Sequence, residues 1–128
     1  MGIRYSIDRI NRRLVTRADG LVTFPEINAH LDIEQRNRDL ERAELIDARG
    51  ATVDLTTEQV GRLVGRAAEM LRYVDVGPTA IVTDNQTVYG MARLYALLAE
   101  HAGIVADVFP DVESASHWLN QFTSEDDD

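Results

Sequence analysis

Ile3, Tyr5 and Ile7 alternate with Arg4, Ser6 and Asp8, the two-residue period of a strand with one buried face. Leu14 to Ala18 follow a turn around Ile10-Asn11-Arg12, and the two segments predict an antiparallel hairpin at one edge of a sheet. Asp19-Gly20 punctuates the pattern, with Leu21-Val22 extending or re-entering the sheet. The period then changes. Thr23 as N-cap, Pro25 in the first turn and Glu26 completing a capping box predict a helix to about residue 38. Val22 and Ile27 stand at its staple positions, Ile27 and Leu31 on its buried face, and Glu34, Arg36 and Arg38 in solvent. Leu45-Ile46-Asp47-Ala48 predicts a short strand and Arg49-Gly50 a break.

Thr56-Thr57-Glu58-Gln59 repeats the helix-start signal, with Thr56 as cap, Gln59 as its reciprocal partner, and Leu55 with Val60 as staple. Val60, Leu63, Val64, Ala67, Met70 and Leu71 then share one face, and Arg62, Arg66 and Glu69 another. Gly61, Gly65 and Ala68 form a strip of small residues between the two. Each interior glycine costs roughly 1 kcal/mol relative to alanine, which predicts a close helix contact there.

Ala80-Ile81-Val82 is an apolar run suited to a strand buried on both faces, and a turn at Asp84-Asn85 leads into the most apolar helix of the chain. At 100° per residue, Val88, Met91, Ala92, Tyr95, Leu98 and Ala99 form its core stripe. Tyr89, Arg93 and Glu100 form a polar stripe, with Arg93 one turn from Tyr89 and running toward Glu100. Gly90, Leu94, Leu97 and His101 form a second apolar flank, which calls for a neighbouring helix such as the Gly61/Gly65 strip, a second copy, or an apolar ligand. Ile104 to Phe109 predicts the last strand, and Asp111 caps a helix carrying Val112, Ala115, Trp118, Leu119 and Phe122. The order ββαβαβαβα predicts a mixed sheet covered by helices, its later strands parallel. Residues 1–122 form one α/β domain on this reading, and residues 123–128 a disordered acidic tail.

Composition narrows the function. The chain has 128 residues, 45% hydrophobic and 27% charged, without a run long enough to span a membrane. It has neither cysteine nor lysine, so thiolate chemistry, Schiff bases and the P-loop lysine are excluded. The net charge is −9, and the final four residues, Glu125 to Asp128, supply four of those charges. Such a surface repels nucleic acid. The N-terminus carries no secretory signal and only a loose match to a myristoylation pattern, which predicts a cytoplasmic protein.

The order of elements, the length, and the segment Leu45 to Asp54 as a strand-loop leading into a helix resemble the STAS fold of the SpoIIAA-like anti-sigma-factor antagonists. Val88-Tyr89-Gly90-Met91-Ala92-Arg93 after an apolar strand, and a final helix ending in Trp118-Leu119, are similar to uncharacterised bacterial STAS/SEC14-like proteins. The resemblance implies a SpoIIAA-like fold over Ile3 to Leu119. It also implies a phosphoacceptor motif, Asp-Ser-Ser-Gly, at the helix after the third strand. Here Asp54 keeps the aspartate, Leu55 replaces the first serine, Thr56 falls at the phosphorylated serine and Thr57 replaces the glycine.

Ligands of open parallel sheets sit beyond the carboxyl ends of the strands, which selects Asp54, Thr56, Thr57, Asp84 and Asn85, with Asp111 after the last strand. The three aspartates and Thr56 also read as ordinary helix caps. The loop Asp84-Asn85-Gln86-Thr87 contains no glycine, so no phosphate-cradling loop is present. His30, His101 and His117 lie on three different helices; His30 and Glu34, four apart, share a face without completing a metal site. No catalytic constellation, cofactor or metal is therefore expected. The expectation is a non-enzymatic STAS-like regulatory or protein-interaction domain, its partner a regulatory kinase or a second copy, with Tyr89, Gly90, Arg93, Leu94 and Leu97 as its contact or ligand surface. The alternative implied by the SEC14-like resemblance is a carrier for a lipid or small apolar molecule.

Overall fold

A computed structural model describes residues 2–126, with side chains through residue 122. It has five strands and four helices in the expected order: β1 (Gly2–Asp8), β2 (Arg13–Thr23), α1 (Phe24–Arg36), β3 (Ala43–Asp54), α2 (Thr57–Leu71), β4 (Thr79–Val82), α3 (Gln86–His101), β5 (Ala106–Phe109) and α4 (Val112–Asp126). The acidic tail expected from residue 123 overlaps the backbone of α4 to Asp126, and its side chains and last two residues lie outside the described residues.

The strands lie side by side in sequence order, with β1 antiparallel to β2 and every later pair parallel. Each parallel crossover steps the same way across the sheet. Right-handed crossovers then place α1, α2 and α3 on one face, leaving the other to α4. On that second face Ala115 and Leu119 of α4 pack on Leu45, Ala80 and Val82, with Phe109 and Trp118 at the margin. The first face holds a cluster of Ala18, Val22, Ala48, Ala51 and Val88, flanked by Ile3, Ile27, Ile46 and Val53.

The hairpin pairs Ile3 with Ala18, Tyr5 with Thr16 and Ile7 with Leu14. Its turn closes with Arg12 at φ 58° and with Asp8 Oδ1 accepting from the N–H groups of Ile10 and Asn11. Two strand boundaries differ from expectation. β2 runs unbroken through Asp19-Gly20, and β3 runs through Arg49-Gly50 to Asp54 instead of ending at Ala48. The cause is a bulge, in which Ala48 and Arg49 together oppose Ala18 alone. Asp47 makes the bulge tolerable: its Oδ1 accepts from the Arg49 N–H at 3.2 Å, and its carboxylate is gripped by the Arg49 guanidinium at 2.9 and 2.8 Å.

At the start of α1, Glu26 Oε1 accepts from both the Thr23 N–H and the Thr23 hydroxyl at 3.2 Å. At α2, Thr56 Oγ1 accepts from the Gln59 N–H at 3.1 Å while Gln59 Oε1 accepts from the Thr56 N–H at 2.9 Å, the expected capping box. The close contact expected at Gly61 and Gly65 is not made. Both face open space, as does Gly90. Helix α2 rests chiefly on α3 rather than on the sheet, and that stand-off shapes what lies beneath it.

Candidate functional site

Between the first sheet face and helices α1, α2 and α3 lies a cavity of about 210 Å³. Strand alternation supplies its floor, through Ile3, Ala18, Ile46, Ala48 and Ile81. The apolar faces of the helices supply the roof, through Ile27 and Leu31 of α1, Leu63, Ala67 and Met70 of α2, and Met91 and Ala92 of α3. Arg66 ties α2 to α1 over it. Its guanidinium donates to the Asn28 carbonyl and side-chain oxygens at 3.1 Å, to Asp32 Oδ1 at 2.5 Å and to Gln35 Oε1 at 3.3 Å.

One corner of this apolar space is charged. His30 and Glu34 of α1 meet Glu44 of β3, and all three side chains are buried. The His30 Nε2 lies 3.3 Å from Glu44 Oε2 and 3.3 Å from Glu34 Oε1. The contact to Glu34 lacks hydrogen-bond alignment, and neither Glu34 oxygen accepts a hydrogen bond although the residue is only 1% exposed. The Thr16 hydroxyl donates to Glu44 Oε2. The Tyr5 ring stands edge-on to His30 at 5.3 Å, its hydroxyl donating to Asp39 Oδ2 and accepting from Asn37 Nδ2, both at 2.9 Å.

The electrostatics follow from burial and proximity. Burial alone would lower the His30 pKa, but the contacts with Glu34 and Glu44 outweigh it and push it up to about 9. Burial, with the nearby Glu44 charge, raises Glu34 to about 7 against the opposing pull of His30. Tyr95 is pushed up to about 12 by burial and the two glutamates, so its phenol stays protonated. The corner therefore favours a protonated imidazole against the two glutamates, with burial drawing Glu34 toward its neutral form. Thr16 donates to a carboxylate and not to the imidazole, so no nucleophile–base relay of the hydrolase kind is formed.

Glu34 corrects the sequence reading, which placed it in solvent. It lies seven residues after Ile27 and three after Leu31, on the same stripe, and the helical period carries it inward. Glu44 was not singled out; its signal is parity, because Glu44, Ile46 and Ala48 alternate onto one face of β3. Among the described residues, only His30, Glu34 and Glu44 bring three ligand atoms from His, Cys, Asp or Glu within 4.8 Å of one another.

The residues selected at the strand ends do not line the cavity beneath α1 to α3. Asp54, Thr56, Thr57 and Asp84 are exposed, and Asn85 caps α3 by accepting from the N–H groups of Thr87 and Val88. Asp84 and Asp111 lie in the field of Arg49, which already supplies positive charge at that rim. On α3, Tyr89 and Leu97 are 47% and 49% exposed, Gly90 is open, and Leu94 is half-buried. Arg93 donates to Asp107 Oδ1 of β5 at 3.0 Å, not to Glu100 as the helix spacing suggested.

No family model matches the sequence, and no curated protein does. Among solved structures, the chain is similar to an uncharacterised protein of the DUF3478 family with a SpoIIAA-like fold from Shewanella loihica, with a TM-score of 0.61 over 92% of this chain and 94% of that one. The fold is SpoIIAA-like. Sequence identity across the match is 18%, so the likeness carries the architecture and no activity. Among the described residues of this SpoIIAA-like domain, no helix is long and apolar enough to cross a membrane.

Proposed function

We propose that this SpoIIAA-like domain is a non-enzymatic, cytoplasmic binding protein for a small, largely apolar molecule, held between the sheet and helices α1 to α3. The cavity of about 210 Å³ carries this reading, because its walls are largely apolar, with charge at the His30–Glu34–Glu44 corner and at Arg42 and Arg66. Its size selects the ligand. An engineered apolar cavity of about 150 Å³ accepts benzene, whereas drug-sized pockets run from about 300 Å³. The space suits a substituted ring or the end of one acyl chain, oriented by a polar group at the charged corner, and not a whole lipid. Native mass spectrometry of the purified chain, followed by titration with an apolar fluorophore, tests it. A bound small molecule or one-to-one probe binding is expected; an adduct-free protein that binds no probe refutes it.

A second reading, a protein-interaction domain related to anti-sigma-factor antagonists, is favoured by the exposure of Tyr89 and Leu97 on one side of α3. Its partner is a second copy or a regulatory kinase acting at Thr56, whose hydroxyl sits at the exposed N-terminus of α2. Sedimentation of the wild type and of a Tyr89→Ser/Leu97→Ser variant tests the copy. Incubation with a cognate kinase tests the threonine. Thr56→Ala that costs only the roughly 1 kcal/mol of a lost cap and leaves partner binding intact removes the kinase reading.

A further inference from the structure

We propose that His30, Glu34 and Glu44 form a binding site for a single divalent transition-metal ion of the zinc class. The donor set is one imidazole and two carboxylates, a borderline combination that suits Zn²⁺ and Co²⁺ better than Mg²⁺ or Ca²⁺, which take oxygen ligands alone. The spacing agrees. His30 Nε2 stands 3.3 Å from an oxygen of each glutamate, and the edge of a tetrahedron with metal–ligand bonds of about 2.0–2.1 Å is about 3.3–3.4 Å.

Glu34 provides an independent observation. Its carboxylate is 1% exposed, lines the cavity and accepts no hydrogen bond at either oxygen; its charge partner is the His30 ring at 3.3 Å, and a metal ion that displaces the His30 proton would bind both carboxylates and the imidazole at once. The surroundings also hold the donors in place. Thr16 donates to Glu44, and the Tyr5 ring, anchored through Asp39 and Asn37, abuts His30. The neighbouring arginines are engaged elsewhere, Arg42 with Asp39 and Arg66 with Asp32, so the metal competes with the proton on His30. The donors come from two elements, α1 and β3, and face a cavity that leaves further coordination positions for water or for a ligand's polar group. This site does not depend on an apolar occupant.

The test uses the full chain without a polyhistidine tag, stripped with chelator and titrated with Co²⁺ and then Zn²⁺ alone. One equivalent should bind at micromolar or lower concentration, with a cobalt visible band that zinc abolishes. Losing a neighbour that only orients a ligand costs about 10–100-fold in affinity, so His30→Gln and Glu34→Gln, each losing a ligand, should weaken binding about 100-fold or more. Glu58→Gln, which removes the exposed partner of Arg62, should leave it unchanged. Absence of stoichiometric binding, or wild-type affinity in both ligand variants, overturns the site. X-ray absorption on the wild-type zinc form needs no variant: a nitrogen and oxygen shell with one imidazole supports the assignment, and two or more imidazoles overturn it.

Discussion

Ala67→Phe tests whether the space under α2 is empty. Ala67 lines the cavity from the apolar face of α2, the helix that stands away from the sheet. An unfilled volume of about 210 Å³, at roughly 24 cal/mol per Å³, forfeits about 5 kcal/mol of packing relative to a filled interior. A phenyl ring that enters without strain returns about 1.5–3 kcal/mol by burial. Replacing alanine inside a helix takes back about 0.5 kcal/mol. The expected net gain is about 1–2.5 kcal/mol, which at about 4 °C per kcal/mol for a chain of this size raises Tm by about 4–10 °C. Calorimetry and urea unfolding on ligand-stripped protein read the gain, and titration with an apolar fluorophore reads the loss of binding. A destabilisation above about 1 kcal/mol would mean that the ring is forced into packed atoms and that the cavity reading is wrong. A stabilised protein that binds the probe as before would place the probe elsewhere and refute the proposed ligand site.

Gly61→Ala and Gly65→Ala should each stabilise the protein by about 0.5–1 kcal/mol in urea, because an added Cβ meets nothing within 4 Å at either position; a loss would show that an unseen contact uses the bare backbone. Gly77→Ala should have the opposite effect, since its Cβ would sit 2.2 Å from the Arg42 carbonyl oxygen and 2.4 Å from its carbon. A loss of about 3 kcal/mol or more is expected, read as a lower urea midpoint or lost soluble yield, and a neutral result would contradict the chain path at residues 41–42. Arg49→Met should make the protein more acid-sensitive. The guanidinium contact holds the Asp47 carboxyl below the ordinary aspartate value of about 4, so its contribution is present above that pH and is lost as pH falls through the lowered folded value. Without Arg49 that contribution is absent at every pH, the protein enters the acid range less stable, and circular dichroism during acid titration should show the midpoint move up; an unmoved midpoint would show that the pair contributes nothing to folding.

The order of elements was legible because each boundary carries local chemistry. Thr56 with Gln59, Asn85 ahead of Thr87 and Val88, and Asp111 ahead of Ser114 all make the backbone caps that their residue types suggest. What misled was chemistry that looks local and is settled by a neighbouring strand. Arg49-Gly50 reads as a break, yet pairing with β2 holds it in the sheet through a bulge satisfied by Asp47. Arg93 finds Asp107 on β5 because that strand is brought beside α3, a contact invisible to helix spacing. The charged corner was half legible. His30 and Glu34 share a turn, but polarity argued for solvent while the Ile27–Leu31–Glu34 stripe argued for the core, and the stripe decided it.

The expectation of ligands at the strand ends rested on a rule for sheets whose strand order reverses, because the reversal sends neighbouring crossovers to opposite faces and opens a crevice between them. Here the order runs from β1 to β5 without a reversal, and the connections after β2, β3 and β4 all leave toward the same face. At the rim, caps take up Thr56 and Asn85, and Arg49 lies in the field of Asp84 and Asp111. The same topology stacks three helices over one face, and a face shared by three helices is harder to fill than one covered by α4 alone. Helix α2, leaning on α3 and fastened to α1 by Arg66, leaves its apolar side over a void. Void and charged corner thus have one cause: sequential strand order puts α1 beside α2 and above Glu44, and sets the buried carboxylate of Glu34 at the edge of the space beneath the helices.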